Sequence, residues 1–543
     1  MIKKVFNFVN KDISGLHKAA YILAFSSLLS QILALLRDRV LAHSFGAGEI
    51  LDIYYASFRI PDFIFISVAS LVSVSVLVPY LSKEREEGIS KKFMDEIFSL
   101  FFVLILIVCL GSFFLMPTLI FYIFRGFSVD MVEQTIVLSR ILLLSPILLG
   151  FSNFFTSIIQ IKKKFFVYAL SPLLYNIGII IGIILFYPVW GMKGLAMGVI
   201  LGALFHLIIQ LPSIYRLGFI PKATLVTNFG KIKKIMFLSL PRTLALSAGN
   251  LAVLFLLAVA SNMAKGSIAV FNFAFALQSV PLSIIGVSYS VAAFPVLSKL
   301  THEKKDEFLR QVGITTRYII FWTLMATVLF VVLRAQVVRV VLGSGKFSWV
   351  DTRLTAACLA LFAISITAQS LILFFVKGYY AAGITKRPVL INIFSSILIV
   401  IFAFMFKWIF VSFPVLLDFL GSILKISDIV NIDVIVLPLS YSLANIINML
   451  LLFFFIKKDF KYLTADLNRS FYQVCFASLV LGGVAYFSLE LWNNFFNINT
   501  LFGIFCQGFL SGLSGILVAI ITLKVLKNQE IEEIFASIKQ RIR

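Results

Sequence analysis

Apolar runs of about 20 residues or more recur along the whole chain, and they limit what it can fold into. A helix of that length crosses a hydrocarbon core of roughly 30 Å. Of the 543 residues, 60% are hydrophobic and only 13% are charged, whereas a soluble domain carries about 25% charged residues. The sequence therefore predicts an all-α polytopic membrane protein with no soluble domain between its spans.

We count fourteen predicted transmembrane helices in the sequence. They run at about 19–42, 52–82, 94–124, 131–160, 166–187, 192–216, 233–261, 267–297, 313–341, 351–381, 386–408, 433–456, 470–491 and 500–526. Most of the 47 basic residues lie at the chain ends and in alternate loops. Cytoplasmic loops carry an excess of Lys and Arg, so both termini are predicted to be cytoplasmic.

The positive charge follows this topology. A formal charge of +22 also suggests nucleic acid as a partner, but the basic residues stand in short loops between apolar runs, and we expect no nucleic-acid binding. One loop breaks the pattern, because Arg334, Arg339, Lys346 and Arg353 fall on the predicted outer side. Either an amphipathic segment lies on the lipid there, or the span count slips locally.

An internal repeat links the two halves of the chain. Residues 172–177 return as 388–393, and residues 78–83 return as 294–299, both at an offset of 216. A shared offset at two distant places indicates that spans 1–6 and 7–12 are copies in the same orientation. We predict two pseudo-symmetric six-helix bundles, at 1–217 and 218–460, followed by two extra helices and a cytoplasmic tail at 461–543.

Charged residues cluster in the first two spans, where lipid makes them expensive. A charge at the centre of a membrane helix costs roughly 2.5–3.5 kcal/mol. Asp52 and Arg59 are seven residues apart and share one helix face, with Asp62 three residues further on. We interpret Arg37, Arg39, Asp52 and Arg59 as the lining of a polar cavity in which guanidinium groups bind phosphate oxygens. The alternative, strongest for Arg39, is a side chain that snorkels to the interface.

A second basic position lies in the seventh span. Arg242 follows Pro241, which is expected to kink the helix near the cytoplasmic surface. We interpret Arg242 as a phosphate contact on the inner side. A snorkelling arginine at the interface explains the same position equally well.

No metal, cofactor or catalytic group is expected. His43 and His206 stand apart from other metal-ligand residues, and the four cysteines lie in apolar segments without paired spacing. The sequence lacks a Walker-type glycine loop, a His-Glu-x-x-His motif and a Gly-x-Ser-x-Gly motif. An enzyme is therefore not predicted.

Several motifs resemble those of the lipid II flippase family MurJ, also called MviN, of the MOP exporter superfamily. They are Leu36-Arg37-Asp38 with Phe45-Gly46-Ala47-Gly48, Asp52, Arg59-Ile60-Pro61, the segments 169–176 and 194–199, and Gly378-Tyr379-Tyr380-Ala381 with Thr385-Lys386-Arg387-Pro388. The resemblance covers spans 1–12. It implies a fold of two six-helix bundles arranged as a V, with the two extra helices forming a groove for a lipid tail.

The resemblance also implies a function. Members export the undecaprenyl-pyrophosphate-linked disaccharide-pentapeptide across the bacterial cytoplasmic membrane for peptidoglycan synthesis. Cavity residues of the family correspond here to Arg37, Asp52 and Arg59. We expect a monomer whose partners are the membrane, the lipid-linked glycan and the peptidoglycan synthesis machinery.

Some family charges are missing from this chain. Gln31 and Phe65 stand where arginine is common, and Phe275-Ala276 stand where many members have an Asp-Arg pair. The sodium site of some members uses carboxylates that spans 7, 11 and 12 lack, so it is not carried over. Three alternatives stay open: a flippase for another polyprenyl-linked glycan such as an O-antigen or capsule unit, a drug exporter, whose cavity should be acidic, and a non-transporting envelope scaffold.

Overall fold

Every regular element of the described chain is a helix, which confirms the all-α prediction. The computed structural model describes residues 16–69, 91–161, 165–218, 221–222, 224, 229–300, 305–460, 465–497 and 499–542. The amino terminus, which is predicted to be cytoplasmic, and the repeat motif at 78–83 lie outside these ranges.

Helices of the first half of the chain follow the predicted spans, with breaks inside several of them. They are α1 (Leu16–Phe45), α2 (Glu49–Ser57), α3 (Arg59–Ala69), α4 (Lys91–Ile123), α5 (Val129–Leu142), α6 (Leu144–Ile161), α7 (Phe165–Ile181), a π-helical turn (Gly182–Phe186), α8 (Tyr187–Trp190), α9 (Met192–Ile208), α10 (Leu211–Arg216) and α11 (Phe229–Ala260). The predicted second span is thus interrupted at Phe58, which ends α2 and precedes α3.

Helices of the second half include two that the span prediction did not contain, α19 and α23. The elements are α12 (Ser267–Pro281), a π-helical turn (Leu282–Val287), α13 (Ser288–Leu300), α14 (Lys305–Val332), α15 (Arg334–Leu342), α16 (Trp349–Ala363), α17 (Ile366–Ala381), α18 (Lys386–Ser412), α19 (Pro414–Leu424), a 3-10 turn (Ile432–Ile435), α20 (Val436–Phe460), α21 (Ala465–Asn493), α22 (Leu501–Val525) and α23 (Gln529–Ile542).

Ten of the described helical stretches are long and apolar enough to cross a membrane, or eleven if the bent pair α16 and α17 forms one span. This number does not confirm the predicted fourteen, which stays a prediction. The predicted ninth span was too long, because α14 ends at Val332 and a separate helix begins at Arg334.

Contacts divide the chain into two compact units, Met1–Ile268 and Ala269–Arg543. Helix α11 therefore belongs to the first unit, where it packs on α3. This division reflects packing, whereas the predicted boundaries after 217 and 460 reflect a sequence repeat. The repeat-based domains remain a prediction.

Glycines bring α7 and α9 of the first unit into backbone contact. A Cβ placed on Gly198 would lie 2.4 Å from the Cα of Gly182, and one on Gly178 would lie 2.3 Å from the Cα of Gly202. Small residues at four-residue intervals are what allows membrane helices to approach this closely. The contact fixes α7, which in turn packs along α1.

In the second unit, α21 and α22 form a hairpin that packs on α14 and α15. Gly508 and Gly512 of α22 make the approach close. Cβ atoms at these positions would lie 3.0 Å from the Cβ of Gln336 and 3.2 Å from Leu333. The two helices that fall outside the sequence repeat are thereby attached to the end of α14.

Three arginines of the loop that is predicted to be outer contact nearby groups of the second unit. Arg334 donates to the carbonyl of Val331 at 2.8 Å, and the guanidinium of Arg339 lies 5.8 Å from the ring centre of Trp349. Arg353 binds Asp428, and this ion pair holds the pKa of that carboxyl below its usual range. Three of the four basic residues thus have local partners, and the side of the membrane on which the loop lies stays a prediction.

Candidate functional site

Arg37 lies inside the first unit and joins α1 to α7. Its Nε and Nη2 atoms donate to Oδ1 of Asp38 at 2.9 and 2.7 Å, and Nη1 donates to Oδ1 of Asn176 at 3.0 Å. Asn176 is oriented by its own bond to the carbonyl of Pro172 at 3.0 Å. The guanidinium is thus directed into the helix bundle and is held by groups on two helices.

Asp38 is the compensating charge for Arg37. It is 4% exposed, and a carboxylate buried to that degree is retained only when it is paired. The pair takes two of the three bonds that hold Arg37, and Asn176 supplies the third. These three bonds hold the guanidinium of Arg37 in one orientation within an apolar helix bundle.

Asp52 binds a backbone N–H across the first unit. Its Oδ2 accepts from the amide of Gly266 at 2.6 Å, directly before the start of α12. Gly266 has φ of +91°, and a Cβ there would lie 2.1 Å from the carbonyl oxygen of Ala47. A negative charge at this place also suits the positive end of a helix.

A second contact supports the first. Lys265 forms an ion pair with Glu49 at 2.5 Å, and this bond raises the pKa of Lys265. A half-open cavity of about 240 Å³ lies beside these contacts, and its lining includes Asp52 and Lys265. Neither Arg37 nor Arg59 lines it.

The other predicted site residues fall at three different places. Arg59 is the first residue of α3 and is partly buried, with Asp62 one turn further along the same helix. Arg39 is partly buried near the end of α1. Arg242 falls within α11, and its side chain lies outside the described residues. The structure thus describes the side chains of four of the five predicted site residues. Of these, Arg37 forms a hydrogen bond to another helix inside the bundle.

Two partners of the site were not assigned from the sequence. Asn176 ends the family-like segment 169–176, and its place four residues after Pro172 is the signal that it shares a helix face with that carbonyl. Gly266 binds through its backbone. A main-chain donor leaves no trace in the residue type.

Replacing Asp52 by alanine is expected to destabilise the protein. The change removes the acceptor of a buried N–H, which costs about 1–3 kcal/mol, and asparagine should cost less because its amide oxygen still accepts. The measurement is the midpoint of thermal unfolding in detergent. Glu49→Gln is the matched control, because that contact is more exposed and an exposed ion pair contributes about 0–1 kcal/mol. Equal midpoints for wild type and Asp52→Ala would contradict this role.

The missing charges in the second unit are replaced by aromatic rings. Phe275 lies 5.9, 5.6 and 5.5 Å from the ring centres of Phe271, Phe362 and Tyr441. Rings at these separations stabilise one another. An Asp-Arg pair in this place would need polar partners, and none of these three rings offers a charge.

Among the described residues, no group of three or more His, Cys, Asp and Glu side chains is placed to hold a metal ion. The ring of His206 contacts the hydroxyl of Ser152 at 2.6 Å, and that hydroxyl also accepts from the amide of Gln210. The site therefore consists of paired charges and amides.

Comparison with known proteins gives independent evidence about the family of this chain. The family model for the lipid II flippase MurJ matches residues 41–506. A probable lipid II flippase MurJ of Buchnera aphidicola is 28% identical over 383 residues, or 68% of this chain and 74% of the relative. A probable lipid II flippase MurJ of Thermotoga maritima is 26% identical over 527 residues, or 94% of this chain and 97% of the relative.

Solved structures share the fold. A lipid II flippase MurJ in an inward closed conformation matches with a TM-score of 0.75 at 24% identity, over 94% of this chain and 100% of that one. An inward-facing MATE multidrug transporter of the MOP superfamily matches with a TM-score of 0.64 at 16% identity, over 79% of this chain and 94% of that one. The family model extends over most of the sequence, and this chain belongs to the lipid II flippase family MurJ.

Proposed function

We propose that this protein translocates lipid II, the undecaprenyl-pyrophosphate-linked peptidoglycan precursor, across the bacterial inner membrane by alternating access. As a MurJ family member it is a multi-pass membrane transporter and not an enzyme. The observation that supports the proposal best is Arg37, a guanidinium kept inside an apolar helix bundle by Asp38 and Asn176. A group that is expensive in lipid is retained where a ligand needs it.

The headgroup is the part of the substrate that needs a protein. Its sugars and pyrophosphate cannot cross hydrocarbon, because each unsatisfied polar group costs several kcal/mol. A guanidinium has five N–H donors, and three of its bonds are made to Asp38 and Asn176. In this proposal the remaining donors of Arg37 bind phosphate oxygens while the prenyl chain stays in the lipid.

The numbers of arginine and aspartate residues in the first unit bear on how the headgroup would be recognised. In the first unit, Arg37, Arg39 and Arg59 are matched by Asp38, Asp52 and Asp62. The charges of these six residues thus balance one another. Recognition would depend on directed hydrogen bonds from fixed guanidinium groups, which bind phosphate as planar donors.

Other residues and two further helices would also contact the substrate. Arg39, Asp52, Arg59 and Arg242 would contact the substrate together with Arg37, and α21 and α22 would hold the prenyl chain. We further propose cytoplasmic termini, a monomeric protein, two repeated six-helix bundles as its domains, and cooperation with the peptidoglycan synthesis machinery. Supporting these are the loop charges, the repeat at offset 216 and the family resemblance.

Another polyprenyl-linked glycan is the second candidate substrate. Phe275 lies in an aromatic cluster with Tyr441, where many members of the family carry charges. Aromatic rings offer apolar faces and no charge to a ligand. A lipid-linked glycan with fewer anionic groups than lipid II would need fewer charges in the protein. A non-transporting scaffold would also tolerate the uncharged cluster.

Complementation of cells depleted of their own lipid II flippase tests the proposal. The wild-type chain should restore growth. Arg59→Gln should not, since loss of a hydrogen bond to a charged group lowers transport about 10- to 100-fold. Arg140→Gln is the matched control, because this arginine of the first unit donates to the carbonyl of Phe113 at 3.1 Å and lies over its ring.

Each other outcome selects an alternative. Rescue by Arg59→Gln as complete as that by wild type would favour the scaffold. No rescue by wild type, together with rescue of a strain that lacks an O-antigen or capsule flippase, would favour a different glycan.

A further inference from the structure

A buried ion pair joins the carboxy-terminal helix to α14 in the second unit. Nε of Arg317 lies 3.2 Å from Oε1 of Glu530, and the two side chains are 10% and 1% exposed. Nη1 of Arg317 also donates to Oε1 of Gln529 at 2.7 Å. Among the described residues, no hydrogen-bond donor reaches either carboxylate oxygen of Glu530 with good geometry. Arg317 is therefore the charge that compensates Glu530.

The start of α23 is tied to two further helices. Oδ1 of Asn528 accepts from the backbone N–H of Ile531 at 3.2 Å, which caps the helix. The amide of Asn528 donates to Oε1 of Gln473 in α21 at 3.0 Å, and Gln473 donates to the carbonyl of Leu526 at 2.8 Å. One short helix thus links α14, α21 and the end of α22.

Apolar packing completes this link. Ile531 is 4% exposed and packs with Phe321 of α14, Val474 of α21 and Leu523 of α22. Apolar contacts are non-directional, so they permit helices to slide along one another. The bond from Arg317 to Gln529 and the amide bonds of Gln473 are directional, and they fix where α21 and α22 stand along α14.

We propose that Arg317 and Glu530 are positioning residues for the prenyl chain of the substrate. This inference rests on the proposed function, in which α21 and α22 hold that chain. The outward faces of both helices carry large exposed apolar side chains, including Phe476, Phe487 and Phe509. A long prenyl chain contacts many turns of such a surface, and a short one contacts few. A shift of the hairpin therefore affects long-chain substrates selectively.

The test is transport by the purified full-length protein in liposomes. Two probes are compared, lipid II with its 55-carbon chain and an analogue with the same headgroup on a chain of 10 to 15 carbons. Arg317→Gln and Glu530→Gln should lower the rate for the long-chain probe about tenfold and leave the short-chain rate within about twofold. Arg317→Lys keeps the charge that Glu530 needs for folding but loses the planar geometry, and it should show the same selective loss at about threefold.

Arg387→Lys is the matched control, because Arg387 pairs with Asp459 in the same unit and both residues lie outside α14 and α21 to α23. It should leave both rates unchanged. Equal slowing of both probes by Arg317→Lys, or no slowing of either, would overturn the positioning role. A wild-type protein that transports neither probe would overturn the proposed function itself, and this result is distinct from a change in chain-length preference.

Discussion

Arg37→Gln is expected to abolish transport and to lower the midpoint of thermal unfolding by about 6–20 °C. The change leaves Asp38 as a buried carboxylate without its partner, since Asp38 is 4% exposed. Breaking a buried pair from one side costs about 3–5 kcal/mol, and each kcal/mol shifts the midpoint by about 2–4 °C in a domain of about 150–250 residues, which is close to the size of the first unit. The measurements are thermal unfolding in detergent and lipid II transport in liposomes.

A double variant separates the two effects. Arg37→Gln with Asp38→Asn removes both charges, so most of the lost stability should return. Transport should stay absent, because the guanidinium that Asp38 and Asn176 hold in the bundle is gone. Wild-type transport by the double variant would show that Arg37 serves folding alone.

Gly198→Val is expected to prevent correct folding of the first unit. A Cβ at this position would lie 2.4 Å from the Cα of Gly182, and a backbone atom cannot rotate away as a side chain does. Helices α7 and α9 would have to separate, and overpacking of this kind costs about 1–3 kcal/mol or more. Since α7 carries Asn176, the separation also displaces the partner of Arg37. The readout is the yield of monodisperse protein after solubilisation.

Gly483→Ala is the matched control for this variant. It also replaces a glycine inside a membrane helix, α21, but a Cβ there meets nothing within 4 Å. Its yield and its thermal midpoint should equal those of wild type. A normal yield for Gly198→Val would mean that the contact between α7 and α9 is not as close as described.

The sequence predicts the class of fold and the positions of most helices for a simple physical reason. A bilayer requires long apolar helices, so each run of apolar residues has one available structure. The ends of α1, α4 and α18 lie within a few residues of the predicted spans. The extra helices α19 and α23 were not predicted, because they are too short to span a bilayer and need no long apolar run.

The sequence predicts which charged residues belong to the site, but it does not predict their hydrogen-bond partners. Arg37 and Asp52 stand out because charge is expensive in lipid. Their partners do not stand out, since Asn176 is one of several amides in apolar helices and Gly266 contributes only its backbone. The break at Phe58 that places Arg59 at the start of α3 was also missed, although Pro61 is its signal. Proline has no N–H for the carbonyl of Ser57, which accepts from the hydroxyl of Ser139 at 3.1 Å instead.

The most direct test of the central claim is the affinity of the purified protein for two lipids that differ only in linkage. One is lipid II, with its pyrophosphate, and the other carries the same sugars, peptide and prenyl chain on an uncharged linkage. We expect the wild-type protein to bind lipid II at least about tenfold more tightly, as loss of hydrogen bonds to a charged group implies, and we expect the Arg37→Gln, Asp38→Asn variant to lose most of this preference. Equal affinity of the wild type for the two lipids would contradict the claim that partly buried arginines of the first unit recognise a phosphorylated headgroup.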